Sequence, residues 1–489
     1  MIKVQKRVIG NILLMGVMIL SGCGGNSEIM SRDALEPPVF KEVSVHDPSV
    51  IKVEDTYYVF GSHLQSAKTT DLMAWTQIST APQRGNKLVP NASQELGEAL
   101  KWGKTSTFWA GDVIRLADGK FYMYYCTCKG DSPRSYLGLA VADNIEGPYK
   151  NLGVILRSGM EDEPSDDGTP YDATVHPNAV DPHTFFDKDG KLWMVYGSYS
   201  GGIYILEMDP ETGFPYSGQG YGKKLLGGNH SRIEGAYVLY NKQTDYYYMF
   251  LSFGGLGAED GYNIRVVRSR TPDGPYYDAE DKDMIDCKGA EGTFFDDRSI
   301  EPYGVKLMGS YAFSSSDETN TRKNTGYRSP GHNSAYYDEE KDAYFLFFHT
   351  RFEGRANAYE VRVHQMFFNK DGWPVVVPHR FAGESLSAYR SDEILGTYKF
   401  ISHGKDISGE IKKSQDIILE KRGKVTGAIE GKWKKTKNNE IELTLDGSVY
   451  KGYFIRAWDQ DVQAEVMCFT AVSKDGVTVW GSKSVINSK

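Results

Sequence analysis

The chain has 489 residues, enough for one large domain and a smaller second domain, each with a buried core. It carries 56 Lys and Arg against 65 Asp and Glu, a formal net charge of −9. No basic cluster interleaved with aromatic residues follows the N-terminal region, so the charge pattern argues against a nucleic-acid partner. The 32 tyrosines and 22 phenylalanines are typical of β-sheet packing.

The N-terminal region differs in composition from the rest of the chain. Three basic residues precede an apolar run over residues 8–20, which is too short to span a bilayer, and Cys23 follows a pair of small residues. This pattern resembles a bacterial lipoprotein signal, with residues 1–22 removed, Cys23 lipidated and residues 23–36 forming the anchor and tether. The alternative is an ordinary signal peptide with a chance cysteine. We expect an extracytoplasmic protein that is lipid-anchored to a bacterial membrane, at the cell surface or in the periplasm.

Four further cysteines occupy positions 126, 128, 287 and 468. Cys126 and Cys128 are two residues apart on a predicted strand, so their side chains point to the same face. That arrangement suits neither a zinc site nor a disulfide between them. We interpret these cysteines as small buried hydrophobic residues.

Residues 37–383 contain five segments with one shared layout, in which a polar residue opens a strand, a tight turn follows and an aromatic-rich strand returns. The opening residues are Asp47, Asp112, Asp181, Glu234 and His332. Each segment predicts a β-hairpin, and a ring of five such sheets buries the faces that a single hairpin leaves exposed. The repeat therefore predicts a five-bladed β-propeller. Because the first strand of each blade lines the central channel, the five opening residues are expected to surround one pocket, although each alone could be a turn residue or strand cap.

The composition shifts towards Lys, Glu and alternating strands in residues 384–489. This pattern predicts a small antiparallel β-barrel or sandwich. The fold class is therefore all-β, with two domains, and the role of the second domain stays open.

Six motifs, in chain order, resemble glycoside hydrolase family 43, most closely its endo-acting arabinan 1,5-α-L-arabinanases. They are VHDPS at 45–49, FWAGDV at 108–113, HPNAVDP at 176–182, GSYSGG at 197–202, SRIEG at 231–235 and PGHNS at 330–334. The family often has Trp-Ala-Pro-Asp where this chain has Gly111, a form that points towards two-domain arabinanases. Some of these carry a small C-terminal barrel, which residues 384–489 resemble. The resemblance implies a five-bladed propeller that hydrolyses arabinan and arabino-oligosaccharides with inversion of configuration.

The same resemblance implies roles for three carboxyl groups. Asp47 matches the general base that activates water, and Glu234 matches the general acid that protonates the leaving oxygen. Inversion implies that these two carboxyl groups stand about 6.5 to 9.5 Å apart. Asp181 matches a third carboxylate, whose negative charge would favour the protonated form of Glu234. The alternative for Asp181 is a structural Asp-Pro turn.

Further residues are implied as ligands of a metal ion or of the substrate. His332 matches a histidine that holds a metal, generally calcium, in the propeller channel, with water as most of the remaining ligands; the alternative is a channel histidine satisfied by protein groups. Candidate substrate-binding residues are Trp109, Asp112, Asn178, Ser198 and His230.

Two other functions share these features. One is an exo-acting α-L-arabinofuranosidase or β-xylosidase of the same fold, and the other is a non-catalytic glycan-binding protein at the cell surface. Small residues at 197–202 and 253–255 favour an open groove and hence endo action, and the three carboxyl groups favour an enzyme. We expect a monomer.

Overall fold

The computed structural model describes residues 37–313, 326–437 and 439–485. Its strands form five blade sheets and one closed barrel, which confirms the predicted all-β fold with a five-bladed propeller. The sequence left a barrel and a sandwich open for the second domain, and the structure has a barrel. The predicted signal, tether and lipidated Cys23 lie outside the described residues.

The first four blades are four-stranded antiparallel sheets in sequence order. Blade 1 contains β1 (Ser49–Val53), β2 (Thr56–Gly61), β3 (Gln65–Thr69) and β4 (Thr76–Ser79). Helices α1 (Ala92–Glu95) and α2 (Gly97–Trp102) lead to blade 2, with β5 (Asp112–Arg115), β6 (Phe121–Cys128), β7 (Ser135–Ala142) and β8 (Lys150–Arg157). Blade 3 contains β9 (His183–Phe186), β10 (Leu192–Tyr196), β11 (Ile203–Met208) and β12 (Lys223–Leu226).

Blades 4 and 5 complete the ring. Blade 4 contains β13 (Ile233–Asn241), β14 (Tyr246–Phe253) and β15 (Asn263–Ser269), then helix α3 (Asp297–Ile300) and β16 (Val305–Met308). Blade 5 contains β17 (Tyr311–Ala312), β18 (Tyr327–Asp338), β19 (Ala343–Phe352), β20 (Tyr359–Phe368) and β21 (Pro374–Val376). The five predicted hairpins are confirmed as β1–β2, β5–β6, β9–β10, β13–β14 and β18–β19, one in each blade.

The second strand of a blade is buried on both faces because neighbouring blades cover it. All eight residues of β6 and all ten of β19 are buried. Such strands read as continuous apolar and aromatic runs rather than as alternating patterns. The abundant Tyr and Phe residues thus fill the wedges between blades.

Side chains close the ring between blade 5 and blade 1. Lys52 Nζ lies 3.1 Å from Asp338 Oδ2, and the hydroxyl of Tyr57 donates to the same carboxylate. Ser334 Oγ donates to the carbonyl of Pro48 at 2.7 Å. These contacts join the last inner strand to the first, so the opening residues of β1 and β18 meet.

Asp112 joins three blades, because its carboxylate accepts hydrogen bonds from two neighbouring inner strands. Ser49 Oγ donates to Oδ1 at 2.5 Å, and Oδ2 accepts from both the amide and the hydroxyl of Thr184 at 2.7 Å. Asp112 is the first residue of β5, as Ser49 is of β1 and His183 is of β9. The predicted alignment of Asp112 with Asp47 and Asp181 is therefore wrong by two residues, and the equivalent position in blade 2 is Ala110.

The C-terminal domain is a closed antiparallel barrel preceded by helix α4 (Ser391–Ile394). It contains β22 (Gly396–Ser402), β24 (Gln415–Leu419), β25 (Lys424–Gly427), β26 (Gly431–Lys435), β27 (Glu440–Leu445), β28 (Ser448–Asp459), β29 (Ala464–Ser473) and β30 (Thr478–Lys483). Short strand β23 (Lys412–Lys413) leaves the barrel and pairs with β17 of blade 5. Short 3₁₀ turns lie at Ser62–Leu64, Met284–Asp286 and Lys421–Gly423.

The cysteine prediction is confirmed, since Cys126, Cys128, Cys287 and Cys468 are buried and free. In the described part of the chain, no helix is both long enough and apolar enough to cross a bilayer.

Replacing Asp112 with Ala is expected to lower the free energy of unfolding by about 3 kcal/mol, because three buried donors lose their acceptor. Denaturant unfolding of the purified variant measures this change. Asp143→Ala, an exposed carboxylate in the same blade, is the matched control and should change stability by less than about 0.5 kcal/mol. Equal stability of the two variants would contradict the role of Asp112 between blades.

Candidate active site

The residues that meet at one end of the channel share an unusual backbone. Asp47, Asp181 and His332 have φ values of 58°, 55° and 43°, and Gly235, next to Glu234, has a φ of 60°. The strand register shifts beside Glu234 in β13 and around His332 in β18, which marks β-bulges. Left-handed non-glycine residues and bulges concentrate at functional sites, where the surrounding fold holds them against local strain.

Asp47 is buried and surrounded by hydrogen-bond donors. Its Oδ2 accepts from Ser62 Oγ at 2.5 Å and lies 2.8 Å from His46 Nδ1. Its Oδ1 lies 3.2 Å from His332 Nδ1, and the Asp47 backbone amide donates to His349 Nδ1 at 3.1 Å. Burial alone would raise the pKa of Asp47, but His332, His46 and His349 together hold this pKa well below its usual value. Asp47 is therefore ionised across the neutral range.

Arg351 fixes the orientation of His46. The Arg351 guanidinium lies 3.3 Å from His46 Nε2, and the His46 ring stacks on His349 at 3.9 Å between ring centroids. Because a guanidinium can only donate, His46 Nε2 accepts and Nδ1 carries the proton that points at Asp47. His46 thus donates to Asp47 even in its neutral form.

Glu234 and Asp181 form a second group of buried carboxyls with far fewer donors. Ser198 Oγ lies 2.7 Å from Glu234 Oε2, and the Tyr262 hydroxyl lies 2.8 Å from Oε1. From the described residues, Asp181 accepts one long bond of 3.4 Å, donated by the Gly235 amide. Burial raises the pKa of both groups, and repulsion by Glu234 and Asp47 adds to the rise at Asp181. This pair therefore retains a proton at a pH where an exposed carboxyl group would have lost it.

His332 stands between the two groups of carboxyls. Its Nδ1 contacts Asp47, and its backbone amide donates to Ser252 Oγ at 2.7 Å. A methyl group placed on Gly235 would lie 3.1 Å from the His332 ring, so only glycine leaves room for this packing. The Glu234 loop and the His332 loop are thus fitted to each other.

A cavity in the channel is lined by side chains whose oxygen and nitrogen atoms could be ligands of a cation. This small cavity is lined by Asp47, Ser49, Asp181, His332 and Asn333, among others. Both polar atoms of the buried Asn333 side chain lack a hydrogen-bond partner among the described residues. The side chains around this cavity offer imidazole nitrogens and several amide and carboxylate oxygens, and calcium prefers the oxygens. The donor atoms of His46, Asp47 and His349 also lie within 4.8 Å of one another, but those of His46 and His349 already face Asp47.

The predicted substrate-binding residues lie in different environments. Trp109 is half-buried next to Gly130, and His230 is half-buried with its ring stacked on Phe294 at 4.2 Å between ring centroids. Asn178 is buried and accepts from Ser135 Oγ at 2.6 Å, and Ser198 bonds the acid Glu234. With Asp112 held between blades, Trp109 and His230 remain the members of this set with side chains partly open to solvent.

The glycines that suggested an open groove have a different role. A methyl group on Gly201 would lie 2.4 Å from the backbone of His176, and one on Gly202 would lie 2.1 Å from the carbonyl of Leu226. These glycines permit close backbone packing around Ser198 rather than open space. These contacts explain the glycines by backbone packing, so the glycines at 197–202 give no support to an open groove.

Sequence reasoning missed three residues that shape the site. His46 directly precedes Asp47, and His349 lies in β19, one residue beyond the predicted aromatic strand. Tyr262, just before β15, touches Glu234 but has no counterpart in the repeat. A histidine inside an otherwise aromatic buried strand was the available signal for His349, since buried ionisable groups need a partner.

Comparison with known proteins gives a consistent result. The model of glycosyl hydrolases family 43 matches residues 37–297, and that of a C-terminal lipocalin-like domain matches residues 378–481. The extracellular endo-α-(1→5)-L-arabinanase 2 of Bacillus subtilis is 63% identical over 448 residues, 92% of this chain and 94% of that protein. The extracellular endo-α-(1→5)-L-arabinanase of Thermotoga petrophila is 52% identical over 91% of this chain and 95% of that protein. A family 43 glycoside hydrolase structure from Bacillus licheniformis has a TM-score of 0.88 at 63% identity and covers 91% of this chain and 99% of its own.

Replacing Gly235 with Ala is expected to lower the free energy of unfolding by about 3 kcal/mol, because it adds contact with His332 to the cost of a left-handed backbone. Gly190→Ala is the matched control, since Gly190 has a φ of 82° and no atom within 4 Å of an added methyl group. That variant should lose only about 1 kcal/mol. Denaturant unfolding of both variants gives the comparison, and equal losses would show that the fit of His332 against Gly235 is unimportant.

Proposed function

The chain belongs to glycoside hydrolase family 43, and we propose that it is an endo-acting hydrolase of the 1,5-α-L-arabinofuranosidic bonds in arabinan. Two relatives that are 63% and 52% identical over more than nine-tenths of the chain are named as endo-α-(1→5)-L-arabinanases. The observation that carries the proposal is the contrast between an ionised Asp47 and a proton-retaining Glu234–Asp181 pair in one buried site. Such a contrast is what acid–base hydrolysis of a glycosidic bond requires.

Asp47 acts as the general base. Its carboxylate takes a proton from water as that water attacks the anomeric carbon, and the histidines around it keep it ionised beforehand. Glu234 gives its proton to the glycosidic oxygen, so the C–O bond breaks and the leaving sugar departs as an alcohol. Attack and departure occur on opposite faces of the ring, which inverts the configuration.

Asp181 and the hydroxyls of Ser198 and Tyr262 set the proton affinity of Glu234. The hydroxyl contacts favour the ionised form of Glu234, and burial favours the protonated form. Asp181 lies near enough for the two carboxyl groups to repel each other when both are ionised. The pair therefore holds one proton between its two carboxyl groups, which Glu234 can donate, and the hydroxyl contacts then stabilise the charge left on Glu234.

A non-catalytic glycan-binding protein would not need this arrangement. Burying three carboxyl groups together costs folding free energy, and binding a sugar does not require three buried carboxyl groups. Exo action on the same polymer is the remaining alternative, and the close relatives named for endo action support the endo assignment.

We propose that His332, Asn333 and ordered waters hold one calcium ion in the channel. Asn333 has buried polar atoms without protein partners, and His332 lines the same cavity. When bound, the ion supplies positive charge near Asp47 and favours the ionised form of nearby oxygen groups.

The protein acts outside the cytoplasm on arabinan and arabino-oligosaccharides. Its relatives are named as extracellular enzymes, which supports this location. At the N-terminus, basic residues are followed by an apolar run and then by Cys23. This pattern supports attachment to a membrane through a lipid on Cys23. One chain supplies every opening residue of the site, so the proposed activity needs no second copy of the chain.

Asp47→Asn and Glu234→Gln are each expected to lower kcat on linear debranched arabinan by at least about a thousandfold while the protein stays folded. Product chromatography over time gives the rates and also the pattern: the wild-type protein should release a ladder of oligosaccharides that shorten with time. Release of arabinose alone would assign exo action instead. Full activity in either variant would contradict the assigned roles.

Tyr262→Phe is expected to move the basic limb of the kcat/KM profile to higher pH. The Tyr262 hydroxyl stabilises ionised Glu234, so its removal raises the pKa of Glu234 further and the acid keeps its proton at higher pH. Tyr196→Phe, which removes a buried hydroxyl that donates to the Tyr221 carbonyl, is the control and should leave the profile unchanged. A shift of the basic limb to lower pH would contradict this reading of the contact.

Calcium should raise the thermal midpoint of the wild-type protein after chelator treatment, because an ion that binds only the folded state stabilises it. Differential scanning calorimetry with and without calcium measures the shift, and His332→Ala should show a much smaller one. An equal shift in both proteins would place the ion elsewhere.

A further inference from the structure

The segment between β15 and β16 places two phenylalanines on the surface, in contact with Tyr199 and His230. Phe294 is 66% exposed and Phe295 is 46% exposed. Their rings contact each other edge to face at 4.9 Å, Phe295 contacts the ring of Tyr199 at 5.6 Å, and Phe294 stacks on His230. We call this continuous surface of Tyr199, His230, Phe294 and Phe295 the aromatic platform.

The platform is fixed to the strand that carries the acid. Arg232 Nε donates to Asp297 Oδ1 at 3.0 Å, and a second guanidinium nitrogen bonds the other oxygen of the same carboxylate. The Gly289 amide donates to Ser231 Oγ at 2.7 Å, and Asn229 Nδ2 donates to the Gly289 carbonyl at 2.9 Å. Both ends of the phenylalanine loop are therefore tied to residues 229–232, directly before Glu234, so the exposed rings do not belong to a loosely held loop.

Two adjacent exposed phenylalanines on an anchored loop indicate a binding surface, because soluble proteins seldom expose a contiguous apolar patch without a partner. The position of the platform identifies the partner. Tyr199 follows Ser198, whose hydroxyl bonds Glu234, so the platform begins beside the acid rather than beside Asp47. The acid touches the glycosidic oxygen, which departs with the leaving part of the substrate.

We propose that the aromatic platform binds arabinofuranose units of the leaving part of the chain, beyond the bond that is cut, by stacking against their C–H faces. This inference rests on the proposed function and adds a substrate-binding surface to it. Aromatic rings bind the C–H faces of sugars through apolar contact, so Phe294 and Phe295 can bind a sugar although they have no hydrogen-bonding groups. A platform beyond the cleaved bond would bind a long chain more tightly than one too short to reach it.

Phe294→Ala is the direct test, because the Phe294 side chain is mostly exposed and its loss does not disturb the core. Removing it should lower kcat/KM on arabinohexaose about tenfold, as expected for losing the burial of one ring face. The rate on arabinotriose should change by less than about twofold. Phe294→Tyr should keep the wild-type rates because it keeps the ring. Phe294→Leu is apolar but has no ring, so it should lower kcat/KM on arabinohexaose almost as much as Phe294→Ala does. Tyr216→Ala, an exposed ring on blade 3 outside the site, is the control.

Binding measurements separate this proposal from the proposed function. Calorimetric titration of arabinohexaose into Asp47→Asn should give a dissociation constant about tenfold higher when Phe294→Ala is added. Unchanged affinity and unchanged kcat/KM in Phe294→Ala would overturn the platform while leaving the assigned activity intact. An equal loss on arabinotriose and arabinohexaose would also overturn it, as would a change in oligomeric state without a change in affinity. Failure of the wild-type protein to cut arabinan would instead count against the proposed function.

Discussion

The structure depends on the burial of three carboxyl groups at one end of a propeller channel. Carboxylates that share a dry site repel one another, and desolvation adds to the cost of ionising each one. The protein resolves this conflict by giving the groups different surroundings. Asp47 faces Ser62 and three imidazole rings and is ionised. Asp181 has one long backbone donor in the part of the chain that the structure describes, and it forms with Glu234 a pair that keeps a proton. The difference in surroundings, more than the carboxyl groups themselves, separates base from acid.

The propeller is what makes these surroundings possible. The three carboxyl groups and His332 come from the inner strands or the residues just before them, and the ring brings residues nearly 300 positions apart into contact, as with Asp47 and His332. Contacts between blades, at Asp112 and at Lys52 with Asp338, hold the inner strands in register. Left-handed backbone at Asp47, Asp181 and His332 then turns the side chains towards one another. The barrel packs on blade 5 through the pairing of β23 with β17, far in sequence from the carboxyl groups.

Much of this arrangement could be predicted from the sequence because the repeat is regular. Asp47, Asp181, Glu234 and His332 could be identified because each is a polar residue at the start of an aromatic hairpin. The number of hairpins predicted the number of blades. Asp112 was aligned two residues out of register because it is the first acidic residue of its blade, while the true equivalent, Ala110, gives no polar signal. His349 and Tyr262 contact the carboxyl groups from positions outside the repeated element, and Phe294 lies on an irregular loop. Contacts of that kind depend on how the blades pack, and of these residues only His349, a histidine in an aromatic strand, leaves a local signal.

The central claim is that Asp47 and Glu234 act from opposite faces of the sugar. Proton NMR of the first products from linear arabinan tests it directly, because the anomeric signal reports the configuration at the new reducing end before it equilibrates. Inversion of the α-linkage predicts that the β-anomer appears first and then converts to the equilibrium mixture. Initial release of the α-anomer would mean retention through a covalent intermediate, and Asp47 could not then be the base that activates water.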